Sequence, residues 1–167
     1  MSDSGELVLE RFLPYRLSVL SNRMSQALAR FYAERFDLSI TEWRVLAVLA
    51  RHPGISANEV AERTAMDKVA VSRAVRRLLT SGRLLRDVDD GDRRRSRLRL
   101  SEKGAAIYRL IAPLALDFER RLLALLSPED QRRLDRALER LAAQDLEALV
   151  ASCAEDAKLS ERRASGG

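Results

Sequence analysis

Two residue types on which much enzyme and metal chemistry depends are nearly missing. The 167-residue chain has one cysteine, Cys153, and one histidine, His52. No disulfide can close within the chain, and no Cys/His zinc cluster can be assembled. A Ser-His-Asp or Cys-His nucleophile would have to be built on His52 alone. With no glycine-rich phosphate loop and no clustered carboxylates, an enzyme is poorly supported, and no cofactor is expected. No apolar run approaches ~18 residues, which excludes a transmembrane helix, so no membrane partner is expected. Residues 1–6 lack the basic stretch followed by an apolar one that a secretion signal needs, so the expected location is the cytoplasm. Aromatics are only 5% of the chain, while Leu, Ala, Arg and Glu dominate, a composition that favours helix.

Lysine is also scarce. Of 30 basic residues three are Lys (Lys68, Lys103 and Lys158) and 27 are Arg, against 25 acidic residues, for a formal net charge of +5. The excess is local. Residues 63–103 hold 13 basic and six acidic side chains, net +7, whereas the remainder holds 17 and 19, net −2. A basic patch on one segment is the electrostatic footprint of polyanion binding. Since basic runs are commonly just solvated surface, local structure has to decide.

Hydrophobic spacing predicts a first helix over residues 7–36, with Leu13, Leu17, Leu20, Met24, Leu28 and Phe31 on one face. Pro14 either kinks that helix or marks its start. A second helix begins at Thr41 and stops at Pro53-Gly54. Ser56-Ala57-Asn58-Glu59 is a capping box opening a short helix to about Arg63. Thr64 to Asp67 is a tight turn, and a basic helix runs from Lys68 to Thr80 with Val71, Val75 and Leu78 inward. The period then changes to two on either side of Asp89-Asp90-Gly91-Asp92, a hairpin signal with Arg93-Arg94-Arg95 beside its tip. Ser101-Glu102-Lys103-Gly104 opens a long helix to about Leu126, interrupted by Pro113. Ser127-Pro128-Glu129-Asp130 starts a last helix to about Cys153, and residues 160–167 read as a disordered tail.

A short helix, a tight turn and a basic helix make a helix-turn-helix, and the hairpin that follows makes it winged. The fold expected is mainly α with a small β-wing: a winged helix-turn-helix lobe over 41–103, flanked by helices at 7–36 and 104–153, within one domain. A helix fits the major groove of DNA, and arginine at a loop tip suits the narrow, electronegative minor groove.

At this point the chain resembles the MarR family of transcriptional regulators. The resemblance rests on Thr41 to Leu46, Glu59-Val60-Ala61, Asp67 to Arg73, the wing Asp89-Asp90-Gly91-Asp92-Arg93-Arg94, and Leu98-Arg99-Leu100-Ser101-Glu102-Lys103-Gly104. The wing and the Leu-x-Leu-Ser-x-Lys-Gly ending are its most specific parts, and it covers roughly residues 7–150. It implies a homodimer joined through the first and last helices, a pseudo-palindromic operator in double-stranded DNA, and a repressor or activator, a repressor being the first expectation, whose hold on DNA responds to a small aromatic, phenolic or carboxylate ligand. Carried over residue by residue, Lys68, Val69, Ala70, Ser72 and Arg73 face the major groove, and Arg76 and Arg77 contact phosphate. Arg94 enters the minor groove, braced by Asp92; Arg93, Arg95 and Arg97 either contact the DNA backbone or are solvated; and Ser56 caps its helix while reaching a phosphate. This wing has Asp-Gly where the family often has Pro, which implies a more flexible loop. The ligand site implied lies along the first, second and fifth helices, with Tyr15, Arg16, Trp43 and Arg44 as candidates. Trp43 also reads as core, and Arg16 as a surface ion pair. A purely protein-binding winged domain is the rival reading, and it has no need of three adjacent wing arginines.

Overall fold

The computed structural model describes the backbone of residues 7–89 and 92–165; side chains at 88–95 and from 159 onward are outside the description. The described chain divides into two compact units, residues 1–117 and 118–167.

In the first unit a short 3-10 turn, Leu9–Arg11, precedes α1, Leu13–Phe36. Pro14 lies in the first turn of α1, where its missing N–H costs nothing, so it marks a start and not a kink. The second helix, α2, spans Ile40–Arg51 and begins one residue earlier than expected. Ser39 caps it: its hydroxyl accepts from the Glu42 N–H at 3.2 Å, and Glu42 accepts from the Ser39 N–H at 2.7 Å. The two helices α3, Ala57–Thr64, and α4, Lys68–Thr80, form the helix-turn-helix. Ala65, with φ 49°, ends α3 in a left-handed turn, and Asp67 caps α4 by accepting from the Ala70 N–H at 2.9 Å.

The antiparallel strands β1, Leu84–Asp89, and β2, Asp92–Leu100, pair Leu84 with Leu100, Arg86 with Leu98 and Val88 with Ser96. The wing is fastened at its base by a third extended segment. The Gly54 N–H donates to the Leu98 carbonyl and the Leu98 N–H to the Ile55 carbonyl.

The core lies within this unit. Val45, Leu46 and Leu49 of α2, Val60 and Ala61 of α3, and Val71, Ala74, Val75 and Leu78 of α4 are buried. Leu84 and Leu98 of the wing, with Tyr32, Leu38 and Ile111, complete it. Each fully buried aliphatic side chain contributes roughly 1.5–3 kcal/mol relative to exposure, so this cluster holds both helix-turn-helix and wing in place.

The strand-to-helix junction explains the Leu-x-Leu-Ser-x-Lys-Gly run. The Ser101 hydroxyl donates to the Gly82 carbonyl at 2.7 Å and accepts from the Gly104 N–H at 3.0 Å. Lys103 donates to the Ser81 carbonyl at 2.9 Å. From there α5 runs over Glu102–Leu123 with Pro113 inside it.

In the second unit the single last helix expected from Ser127 to Cys153 is two helices, α6, Pro128–Ala142, and α7, Leu146–Ser165. The break has a local cause: Asp145 accepts from the Ala148 N–H at 3.0 Å and restarts the helix. Helix α7 continues past residue 160, where composition suggested a disordered tail, because Glu, Arg and Ala in that stretch are good helix formers. Residues 166–167 lie outside the described residues.

Candidate nucleic-acid interface

Helix α4 has two faces of opposite character. Val71, Ala74, Val75 and Leu78 recur at helical spacing and are buried. Val69, Ser72, Arg73 and Arg76 recur at the same spacing on the other side and are exposed, as is Lys68 at the helix start; Ala70 is half-buried. A helix held by one full face, with a polar and basic face open to solvent, has the geometry that major-groove reading requires. Val69 is 56% exposed in the first turn, where its methyl groups could meet an apolar partner such as a thymine methyl. Arg73 and Arg76 make no ion pair among the described residues, so their guanidinium groups are uncommitted there.

Arg77 differs. Its Nε lies 3.2 Å from Oε1 of Glu42, a carboxylate with a side chain only 2% exposed, and its Nη2 lies 3.9 Å from Asp37. Arg77, expected to contact phosphate, is thus paired with carboxylates of its own chain while its side chain stays largely exposed.

Ser56 sits where the capping box places it. Its hydroxyl accepts from the Glu59 N–H at 3.3 Å, and its own N–H donates to Glu59 at 2.8 Å. The bond from the Ser56 N–H, together with the Ser56 hydroxyl beside it, holds the Glu59 carboxyl below its ordinary range, with Arg63 and Arg97 adding to the effect.

In the wing, Arg99 pairs with Asp87 across the strands at 2.8 Å, with a longer second bond at 3.5 Å. That pairing raises the Arg99 pKa further and makes this side chain a brace for the ribbon. Arg86 and Arg97 are exposed. The backbone of Asp92, Arg93, Arg94 and Arg95 belongs to β2. Their side chains, and with them the minor-groove contact expected of Arg94 and its bracing by Asp92, lie outside the described residues.

Sequence reasoning missed Arg83. Its Nη1 donates to the Asp37 carbonyl at 2.8 Å and its Nη2 to the Phe36 carbonyl at 2.7 Å. Those are the open carbonyls at the end of α1, where Asp37 turns left-handed at φ 47°. No local motif announces such a contact between residues 46 and 47 positions apart.

The four ligand candidates fall into two groups. Trp43 stacks on Tyr108 of α5, with ring centroids 5.7 Å apart and 19° between planes, and meets Tyr32 of α1 at 5.4 Å. Burial pushes the Tyr32 hydroxyl up in pKa, and that hydroxyl has no hydrogen-bond partner among the described residues. Arg44 donates to the Ser25 hydroxyl at 3.0 Å. Tyr15 and Arg16 instead line an open groove along α1 with Leu13, Leu17, Leu20 and Arg23. Trp43 is not among its walls. Tyr32 and Tyr108 are the aromatic partners that sequence reasoning did not name. His52 closes α2 at its C-cap, and Cys153 is exposed on α7. Among the described residues no group of His, Cys, Asp and Glu is placed to hold a metal ion, and no helix is long and apolar enough to cross a membrane.

Residues 36–95, which contain the helix-turn-helix and most of the wing, match the model of the MarR family. The chain is 27% identical over 133 residues to the HTH-type transcriptional repressor Rv2887 of Mycobacterium tuberculosis, covering 79% of this chain and 92% of that one. A MarR/EmrR family regulator from Acinetobacter sp. ADP1 shares the fold, with a TM-score of 0.74 over 81% of this chain and 96% of that one, at 24% identity. The PcaV regulator of Streptomyces coelicolor, solved in complex with its natural ligand, aligns with a TM-score of 0.65 at 25% identity, covering 85% of this chain and 97% of that one. Taken with a basic helix held by one buried face beside a wing, these likenesses make residues 36–95 a match to the MarR family, within a chain similar over most of its length to a helix-turn-helix transcriptional repressor and to MarR-family regulators of known structure.

Proposed function

We propose that the chain is a homodimeric repressor that binds a pseudo-palindromic operator and releases it on binding a small aromatic or carboxylate ligand. The observation that carries the reading is the face of α4 formed by Val69, Ser72, Arg73 and Arg76, open to solvent while the opposite face is core. Lys68, Val69, Ala70, Ser72 and Arg73 read base edges, Arg76 and Ser56 hold phosphate, and Arg94, braced by Asp92 and flanked by Arg93 and Arg95, enters the minor groove. The repressor assignment is supported by the name of the mycobacterial relative, and the ligand by the complex of the streptomycete one. For the ligand, the stacked Trp43 and Tyr108 supply an aromatic wall. Arg44, Tyr15 and Arg16 are the candidate groups for its acid or phenol. The site of action is the cytoplasm.

The test is selection of bound duplexes from a randomised pool by the purified protein, followed by a screen of aromatic acids for release of the selected DNA. A pseudo-palindrome with half-site centres about 10 base pairs apart is expected. Arg94→Ala is expected to weaken binding strongly while leaving the protein folded. Enrichment of no sequence would sink the operator reading, and wild-type affinity of the Arg94 variant would sink the wing assignment.

A further inference from the structure

Two arginines tie the DNA-reading elements to one corner of the fold. The corner is the turn from α1 into α2, residues Phe36 to Glu42. Arg77, in the last turn of α4, ion-pairs with Glu42 and approaches Asp37. Arg83, just ahead of β1, holds the carbonyls of Phe36 and Asp37. Helix and wing are thus each held by one guanidinium.

We infer that the Arg77–Glu42 pair is a latch that sets α4 against this corner, so that both are positioning residues for DNA reading and Arg77 is not a phosphate ligand. The inference rests on α4 being the reading helix. Three observations support it. The Glu42 carboxylate is buried, with one oxygen on the Ser39 N–H and the other facing Arg77; without Arg77 a buried charge would lose its counter-ion. Arg77 lies between two carboxylates, and a DNA phosphate brought to it would be placed beside Glu42 and Asp37, which repel it. The pair also joins the far end of α4 to the first turn of α2, so its loss would tilt the helix without removing any side chain from the reading face.

The test compares Glu42→Gln, Arg77→Gln and the double variant, with Arg73→Ala as the control for α4. The probes are the duplex selected by the wild-type protein and a random-sequence duplex of equal length, titrated across a salt series. Glu42→Gln decides between the two roles. It removes a negative charge, so a purely electrostatic role predicts tighter binding. Positioning predicts weaker binding to the selected duplex, by about tenfold, with little change on the random one. Arg77→Gln is expected to bind more weakly by a similar factor with an unchanged salt slope, and the double variant to be no weaker than either single one. The double variant carries no unpaired buried charge, so it also serves if a single variant fails to fold. Unchanged or tighter binding by Glu42→Gln would overturn the inference. So would a salt slope flattened in Arg77→Gln by about 0.9 for each phosphate no longer neutralised. If Arg73→Ala also binds as wild type, the reading of α4 itself has failed; if Arg73→Ala weakens binding and Glu42→Gln does not, only the latch has.

Discussion

Gly104 shows how a residue that reads as a family signature can be a packing requirement. A Cβ on it would lie 2.0 Å from the Arg83 carbonyl oxygen, a backbone atom that cannot rotate aside. That carbonyl is already bonded to the Ser101 N–H, which fixes the junction between wing and α5. Gly104→Ala is therefore expected to destabilise the protein by about 1–3 kcal/mol, since the clash must be relieved by moving backbone. At this chain length that lowers Tm by about 2–4 °C per kcal/mol, measurable by thermal melting. An unchanged Tm would show that the junction has slack. At this scale the sequence is legible only in part. Arg73, Arg76 and Arg77 lie side by side on α4 and are one residue type, so spacing treats them alike. What separates them is the buried carboxylate of Glu42, which comes from a helix more than thirty residues earlier and is brought near by folding. Arg83 is hidden from sequence reasoning for the same reason.

Elements are more legible than residues, because their signals are local. The bounds of α4 follow from the Asp67 cap, the Val71–Val75–Leu78 stripe and Gly82, and α3 follows from its capping box. Ser39-Ile40-Thr41-Glu42 carries the same box signature, so the start of α2 at Ile40 is written in the sequence even though apolar spacing alone points to Thr41. The break between α6 and α7 is harder, since it rests on one Asp in a run of helix formers. The α3 box makes a pH prediction. Glu59 accepts the Ser56 N–H as a carboxylate, and its folded pKa is lowered. Its contribution is therefore complete above the ordinary Glu value of about 4.3 and is lost as pH falls through the lower folded value. The stability gap between wild type and Glu59→Ala should hold from neutral pH down to that range and close below it. Melting curves across the pH series check this, and a gap independent of pH would mean that the carboxylate is not the capping species. Ser56→Ala, which removes the other half of the box, is expected to cost about 1 kcal/mol at neutral pH.

At the scale of the molecule the exposed apolar surface needs a partner. Leu13, Leu17 and Leu20 on α1 are exposed at helical spacing, and so are Leu134, Leu138 and Leu141 on α6, a helix with no buried residue at all. Single exposed leucines are ordinary, but stripes on amphipathic helices mark surfaces that another chain covers. A second copy meets that need and also doubles the reading elements, which a two-fold operator requires. The prediction is a particle of twice 18.8 kDa in solution, converted towards 18.8 kDa by Leu134→Glu with Leu138→Glu, as measured by sedimentation. The same variant should lose nearly all affinity for the selected duplex while keeping its helicity, because one lobe alone makes half the phosphate contacts. If two lobes neutralise about 6–10 phosphates, wild-type affinity should fall by about 10³–10⁵ between about 50 and 200 mM salt. The variant's slope should be about half as steep. A wild-type protein that sediments as a monomer and still shows the steep slope would remove the need for a second copy, and with it the two-fold operator.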